Sequence, residues 1–342
     1  MSLPYPWLAD AWQRLAGYRA SDRLPHALLL TGPAGLGKVE LARRFLNLLL
    51  CREPGDAPCG NCDACAQWRA GSHPDFHEIT LAEDDRGKLR KQIVVDQVRA
   101  LSAEMALTAR QGGWKLALLH PADAMNVNAA NSLLKTLEEP PRRSLLLLVS
   151  SRPANLPATI RSRCQHLAVS RPPAEAALQW LQREGVQRPE LALAYAGGMP
   201  LRAKALAGDG VLAQRGRLLQ RLAALQERGA SVVTVAGEFE ALDLATIVEF
   251  LDAVTEDLVR VTQLPEDATR LRNPDLLNSL KTLADRVNLT AMHRYRQAIV
   301  EARRLVETPV NSRLLLESLL LPWAAGMSAA TNERILDRLL EG

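Results

Sequence analysis

The chain has 342 residues, which at roughly 150 residues per domain points to two or three domains. Hydrophobic residues make up 47% and charged residues 23%, which excludes bulk disorder, and apolar runs such as Leu145 to Val149 fall far short of the roughly 20 residues a membrane helix needs. The 42 basic residues exceed the 38 acidic ones by only +4, and 4% aromatic content leaves few stacking platforms for single-stranded nucleic acid.

The N-terminus, Met1 to Leu15, carries Asp10 within its apolar stretch and no basic segment ahead of an apolar core. No signal peptide is expected, so a cytoplasmic location is the default. His26 to Thr31 is a short apolar run that ends at a Gly/Pro-rich turn, Gly32 to Gly37, and a helical stretch from Lys38 to Leu50 follows. Leu116 to His120 and Leu145 to Ser150 have the length and flanks of buried parallel strands. Between them Ala130, Leu133, Leu134 and Leu137 recur at helical spacing, with Asn126 or Asn128 as the cap and Pro140-Pro141 as the stop. Strands separated by helices predict a parallel α/β sheet with helices on both faces. After Arg171-Pro172-Pro173 strand-like runs become rare. Ala174 to Leu206 reads as a small helical unit with a turn at Gly197-Gly198, and a second helical unit starts near Val211.

Gly32-Pro33-Ala34-Gly35-Leu36-Gly37-Lys38-Val39 nearly fits the phosphate loop G-x-x-x-x-G-K-[ST], placed between strand and helix as that motif requires. Glycines let backbone N–H groups curl around phosphate oxygens, the helix N-terminus adds a favourable dipole, and Lys38 supplies a positive charge. Val39 stands where a hydroxyl should meet Mg²⁺, and it cannot ligate a metal. The strand Leu116 to Leu119 runs into His120-Pro121 where an acidic pair is needed, and Asp123 lies three residues beyond His120. Without those ligands phosphoryl transfer loses its main electrostatic support, so efficient hydrolysis by this chain is not expected. Binding of ATP or ADP stays open.

Four of the five cysteines, Cys51, Cys59, Cys62 and Cys65, lie within fifteen residues. Four thiolates fill a tetrahedral Zn²⁺ site and leave no open position, so a structural zinc is expected. His73 reads as an ordinary loop residue. Arg86, Lys88, Arg90 and Lys91 form a basic run that reads as a solvated loop before it reads as a DNA contact.

Leu133-Leu134-Lys135-Thr136-Leu137-Glu138-Glu139-Pro140-Pro141, together with Ser162-Arg163-Cys164, resembles the clamp-loader branch of the AAA+ ATPases. The near-degenerate phosphate loop and the cysteine cluster fit the same family, and the resemblance spans essentially the whole chain. It implies an AAA+ α/β domain over residues 1–170 with a zinc module near 51–65. A helical lid over 171–208 and a helical collar over 209–342 complete the implied architecture. By the same resemblance Arg163 is an arginine finger acting in trans, and Arg202 is the sensor-2 arginine of the lid. Ser150 or Ser151 falls in the sensor-1 region. With Arg202, residues Gly32, Gly35, Gly37 and Lys38 make up the degenerate nucleotide site that the resemblance implies. The implied role is a non-hydrolysing stator subunit with no independent ATPase or polymerase activity. Its implied partners are the tau/gamma motor subunits and the delta subunit in a heteropentamer, the beta sliding clamp, and primed DNA in a nucleoid-associated replisome. No membrane is involved. Ile247 to Val261 and Leu314 to Leu321 read as core stripes first and interface stripes second.

Two other readings compete. An autonomous P-loop ATPase would use Asp123 as a relocated metal ligand. A zinc-dependent DNA-binding module would leave the α/β domain as scaffold.

Overall fold

The structure is a computed structural model that describes residues 5–327 apart from 22, 85, 86, 88, 112, 209, 228, 265–270, 307 and 309. Arg86 and Lys88 of the basic run therefore lie outside the described residues, while Arg90 and Lys91 are exposed. The chain divides into two compact units, Met1–Ala176 and Ala177–Gly342.

In the first unit, α1 (Ala9–Ala20) precedes β1 (Ala27–Thr31), α2 (Lys38–Leu50), α3 (Asp63–Arg69) and β2 (Phe76–Ile79). Then come α4 (Val95–Ala106), β3 (Lys115–Leu119), α5 (Val127–Glu138), β4 (Ser144–Ser150), α6 (Ala158–Arg161) and β5 (Gln165–Ala168). The five strands form one parallel sheet in the order β2-β3-β4-β1-β5. β3 and β4 are buried along their whole length and β1 is buried but for Thr31, which explains their unbroken apolar sequences: a central parallel strand meets helices on both faces. On one face Leu29, Leu119, Leu146 and Leu148 pack with Val98 and Leu101 of α4 and Leu133 and Leu137 of α5. α2 lies against β1, β3 and β4 and also packs on α1.

α2 spans the residues expected from sequence, and α5 carries the expected stripe with Ala130, Leu133 and Leu137 buried. Asn126 is the α5 cap, its Oδ1 accepting from the Ala129 N–H at 2.8 Å. Helix propagation stops at Glu138, ahead of Pro140. β2 and β5 were not expected. They are edge strands, half-buried or mostly exposed, with sequences too polar to stand out.

Of the second unit's helices, α7 (Ala174–Arg183) begins just before the boundary and is followed by α8 (Pro189–Tyr195) and α9 (Pro200–Gly208). Gly197 (φ 66°) and Gly198 (φ 84°) make the expected turn between α8 and α9 in the left-handed region. α10 (Val211–Gln226), α11 (Val232–Glu238), α12 (Leu244–Gln263), α13 (Leu277–Ala284), α14 (Leu289–Leu305) and α15 (Ser312–Ala324) share one apolar core. Ile247, Leu251, Leu258, Leu315 and Leu319 belong to it, whereas Leu314 and Leu321 face outward. Arg215 is buried here beneath a bidentate pair with Asp275, a bond from its Nη1 to Asn273 Oδ1 at 2.9 Å, and a bond from its Nε to the Leu212 carbonyl. Among the described residues no helix is long and apolar enough to cross a membrane.

Candidate functional site

Because the strands are parallel, the loops at their carboxyl ends gather at one edge of the sheet, where α/β proteins place their ligands. The segment Gly32 to Gly37 leaves β1 there and enters α2 at Lys38. The glycines are used against protein atoms. A Cβ on Gly32 would stand 2.4 Å from the Val169 carbonyl oxygen, and one on Gly37 would stand 2.4 Å from the Tyr5 ring. Tyr5 in turn stacks on Trp7 at 5.2 Å, and Trp7 Nε1–H donates to the Leu36 carbonyl at 2.9 Å. The segment Tyr5 to Trp7 is thus laid over the loop, an arrangement that no local motif announces. The Tyr5-Pro6-Trp7 aromatic pair, in a chain so poor in aromatics, was the available signal.

Lys38 is 5% exposed. Its ammonium donates to the carbonyl oxygens of Gly32 and Pro33, both at 2.7 Å, and to Ser151 Oγ at 3.1 Å. Burial pushes its pKa down to about 8, against the opposing pull of Asp123 and Glu40. The lysine is folded back onto its own loop, and of the two sensor-1 candidates Ser151 is the one whose hydroxyl meets it. Ser150 points elsewhere: its hydroxyl donates to Asp123 Oδ1 at 2.7 Å. The Ser151 N–H (3.0 Å) and Arg152 Nε (3.4 Å) also bond the Asp123 carboxylate. Every partner of Asp123 named here is a donor from the β4 end, so the carboxylate serves as a brace for that turn.

Val39 offers no ligand atom at the head of α2. At the end of β3, His120 Nε2 lies 2.7 Å from Glu78 Oε1, and Arg43 Nε donates to the same oxygen at 2.9 Å. Burial alone would raise the Glu78 carboxyl, but His120 and Arg43 outweigh it and hold the pKa below the ordinary carboxylate value. Glu78 is committed to these two partners.

Arg163 belongs to the other edge of the sheet. It lies two residues before β5, whose first residue, Gln165, pairs with Leu28 near the start of β1. At about 3.3 Å per residue, at least ~10 Å of strand separates it from the phosphate loop beyond Thr31. Its Nη1 donates to the Thr159 carbonyl at 3.0 Å, and its Nη2 lies 2.8 Å from Glu138 Oε1. Cys164 is buried and burial pushes its thiol up to about 11, which makes it a packing residue. In the second unit Arg202 pairs with Glu249, a carboxylate that Arg272 also engages at 3.0 Å.

The cysteine cluster begins where α2 ends. Cys51 is the α2 C-cap, Cys62 is the α3 N-cap, and Cys65 lies on the first turn of α3. All four sulfurs of Cys51, Cys59, Cys62 and Cys65 lie within 4.8 Å of one another, with Cys51–Cys62 and Cys59–Cys65 each at 4.0 Å. Sulfurs about 2.3 Å from a tetrahedral Zn²⁺ stand about 3.8 Å apart, so the residues fit that ion. The N–H groups of Asn61 and Cys62 both point at Cys59 Sγ at 3.4 Å, and the Cys59 N–H points at Cys51 Sγ at 3.3 Å, as suits sulfurs carrying negative charge. Burial would raise Cys62, but hydrogen bonds from Arg52, Cys65 and Cys59 pull it down to about 6. Burial pushes Cys65 up to about 12. His73 stays apart from the four sulfurs: its Nδ1 accepts from the Asp75 N–H at 3.2 Å.

The family model described as "DNA polymerase III, delta subunit" matches residues 7–173, and "DNA polymerase III, delta subunit, C terminal" matches residues 210–325. The DNA polymerase III subunit delta' of Pseudomonas aeruginosa is 38% identical over 94% of this chain and 97% of its own length. That of Yersinia pestis is 31% identical over 96% of this chain and 97% of its own length. Among solved structures, a gamma-subunit-related protein of Thermotoga maritima aligns over 92% of this chain and 99% of its own, at 16% identity and a TM-score of 0.42.

Proposed function

The chain belongs to the family of DNA polymerase III delta-prime subunits, and from that premise we propose that it works as a stator in the clamp loader, supplying Arg163 to a neighbouring subunit's ATP and hydrolysing none itself. The observation that carries this reading is the split between the two edges of its sheet. The phosphate loop at the carboxyl edge lacks a hydroxyl at position 39 and an acidic pair at 120–121, and its lysine is spent on its own loop. Arg163, at the amino edge, lies too far from that loop to serve it and half-exposed, where another subunit can reach it.

A guanidinium is always charged and presents a planar fork of donors, so it can neutralise charge developing on a transferring γ-phosphoryl group. The Thr159 carbonyl fixes one arm of that fork on α6. Residues 171–208 are read as a lid and 209–342 as a collar through which the subunit joins tau/gamma and delta in a pentamer. In this reading Arg202, held by Glu249, braces the helical unit and contributes nothing to hydrolysis here. The four cysteines would hold a structural zinc that ties the end of the phosphate-loop helix α2 to α3. The assembled complex would open the beta sliding clamp and close it on primed DNA.

The test is Arg163→Ala in a complex reconstituted with the motor and delta subunits. Assembly is expected to persist while DNA-stimulated ATP turnover falls. Unchanged turnover in a fully assembled complex would overturn the assignment.

A further inference from the structure

Leu137-Glu138-Glu139-Pro140 is among the most distinctive stretches of the sequence, yet nothing in the stator reading uses its carboxylates. Glu138 is the last residue of α5 and Arg163 precedes β5, and both lie at the amino edge of the sheet. Their side chains meet at 2.8 Å although 25 residues separate them in sequence, and they are 51% and 37% exposed. The two arms of the Arg163 fork are therefore held differently. One rests on a backbone carbonyl of α6, the other on a half-exposed carboxylate at the end of α5.

We propose that Glu138 is a positioning residue for the arginine finger: its carboxylate holds the Arg163 guanidinium in the free subunit and yields it to the γ-phosphate of a neighbour's ATP. The proposal rests on the trans assignment of Arg163. A carboxylate and a phosphate offer the same fork the same kind of acceptor oxygens, so each can replace the other. A pair this exposed is weak, and a γ-phosphate with more charge outcompetes a single carboxylate for the guanidinium. The anchored arm keeps the guanidinium in place during the exchange. Once the γ-phosphate is gone, Glu138 recaptures the finger. Glu138 thus competes with ATP for Arg163, and the competition favours release of the neighbour after hydrolysis.

The experiment is steady-state ATP turnover by the reconstituted clamp loader carrying Glu138→Gln, Glu138→Asp, Arg163→Ala, or Arg163→Ala with Glu138→Gln. Glutamine keeps the shape and removes the charge, at a half-exposed site where folding is not at stake. Glu138→Gln is expected to lower the apparent KM for ATP by about two- to fivefold, the span of an exposed pair, with kcat within about twofold. Glu138→Asp should restore the wild-type KM, and Glu138→Gln should have no effect once Arg163 is alanine. An unchanged or raised KM in Glu138→Gln, with Arg163→Ala still lowering turnover, overturns the role of Glu138 and leaves the finger standing. Arg163→Ala without effect removes the finger, and Glu138's role with it.

Discussion

Metal removal is the perturbation whose size follows most directly from the geometry. Cys51 and Cys65 bound a span of fifteen residues, from the end of α2 to the first turn of α3. One cross-link over about that length is worth about 3 kcal/mol of lost chain entropy in the unfolded state. Cys59 and Cys62 add further ties within the same span. For a unit of this size, 1 kcal/mol moves the midpoint by roughly 2–4 °C, so the first unit should lose roughly 6–12 °C in Tm. Metal analysis of the purified protein should give one zinc per chain. Scanning calorimetry before and after chelation, with Cys62→Ser as a second route, measures the rest. Protein that carries no zinc, or a midpoint that moves by less than about 2 °C on metal removal, would refute the reasoning.

Lys38 gives a pH signature. Burial lowers its pKa to about 8 in the folded chain, whereas unfolded lysine titrates near about 10.4. Between those values the unfolded chain binds more protons, so this group's contribution shifts toward the folded state as pH rises. The wild-type stability relative to Lys38→Met should increase from pH 8 to 10 by chemical denaturation, and a flat difference would contradict the burial. In the second unit, Arg215→Met removes the donor to the Asn273 Oδ1 and the bidentate partner of Asp275, whose carboxylate keeps only Arg188, at 3.6 Å, among the ion pairs of the described residues. It should cost about 3 kcal/mol or more in urea unfolding, and Arg215→Lys should recover little because an ammonium cannot reproduce the fork.

What was legible in the sequence follows the depth of burial. β1, β3 and β4 run through the middle of the sheet, so their apolar runs were unambiguous, and α5 announced itself through its stripe and its terminating prolines. β2 and β5 occupy the edges, where one flank is solvent and Phe76-His77-Glu78-Ile79 carries no clear pattern. The cysteines were legible because a metal site fixes both residue type and short spacing. Arg163 stands out only through its motif, for a lone arginine carries no mark of what it reaches. Glu138 beneath it, Asp275 beneath Arg215 and Tyr5 over Gly37 are pairings made by tertiary packing between residues 25, 60 and 32 positions apart. No local rule joins such residues. The position of Asp123 shows the same limit: its sequence offset from His120 left open a metal role, and only the donors from Ser150 and Ser151 show how its oxygens are used.

The central claim is that this subunit assists hydrolysis without performing it. It is tested most directly by ATP turnover of the purified chain alone, with Lys38→Ala as the control. The expected result is turnover no greater than that of the control, with or without primed DNA. Robust turnover that Lys38→Ala abolishes would contradict the claim, and would mean that the folded-back lysine opens and the chain is a motor in its own right.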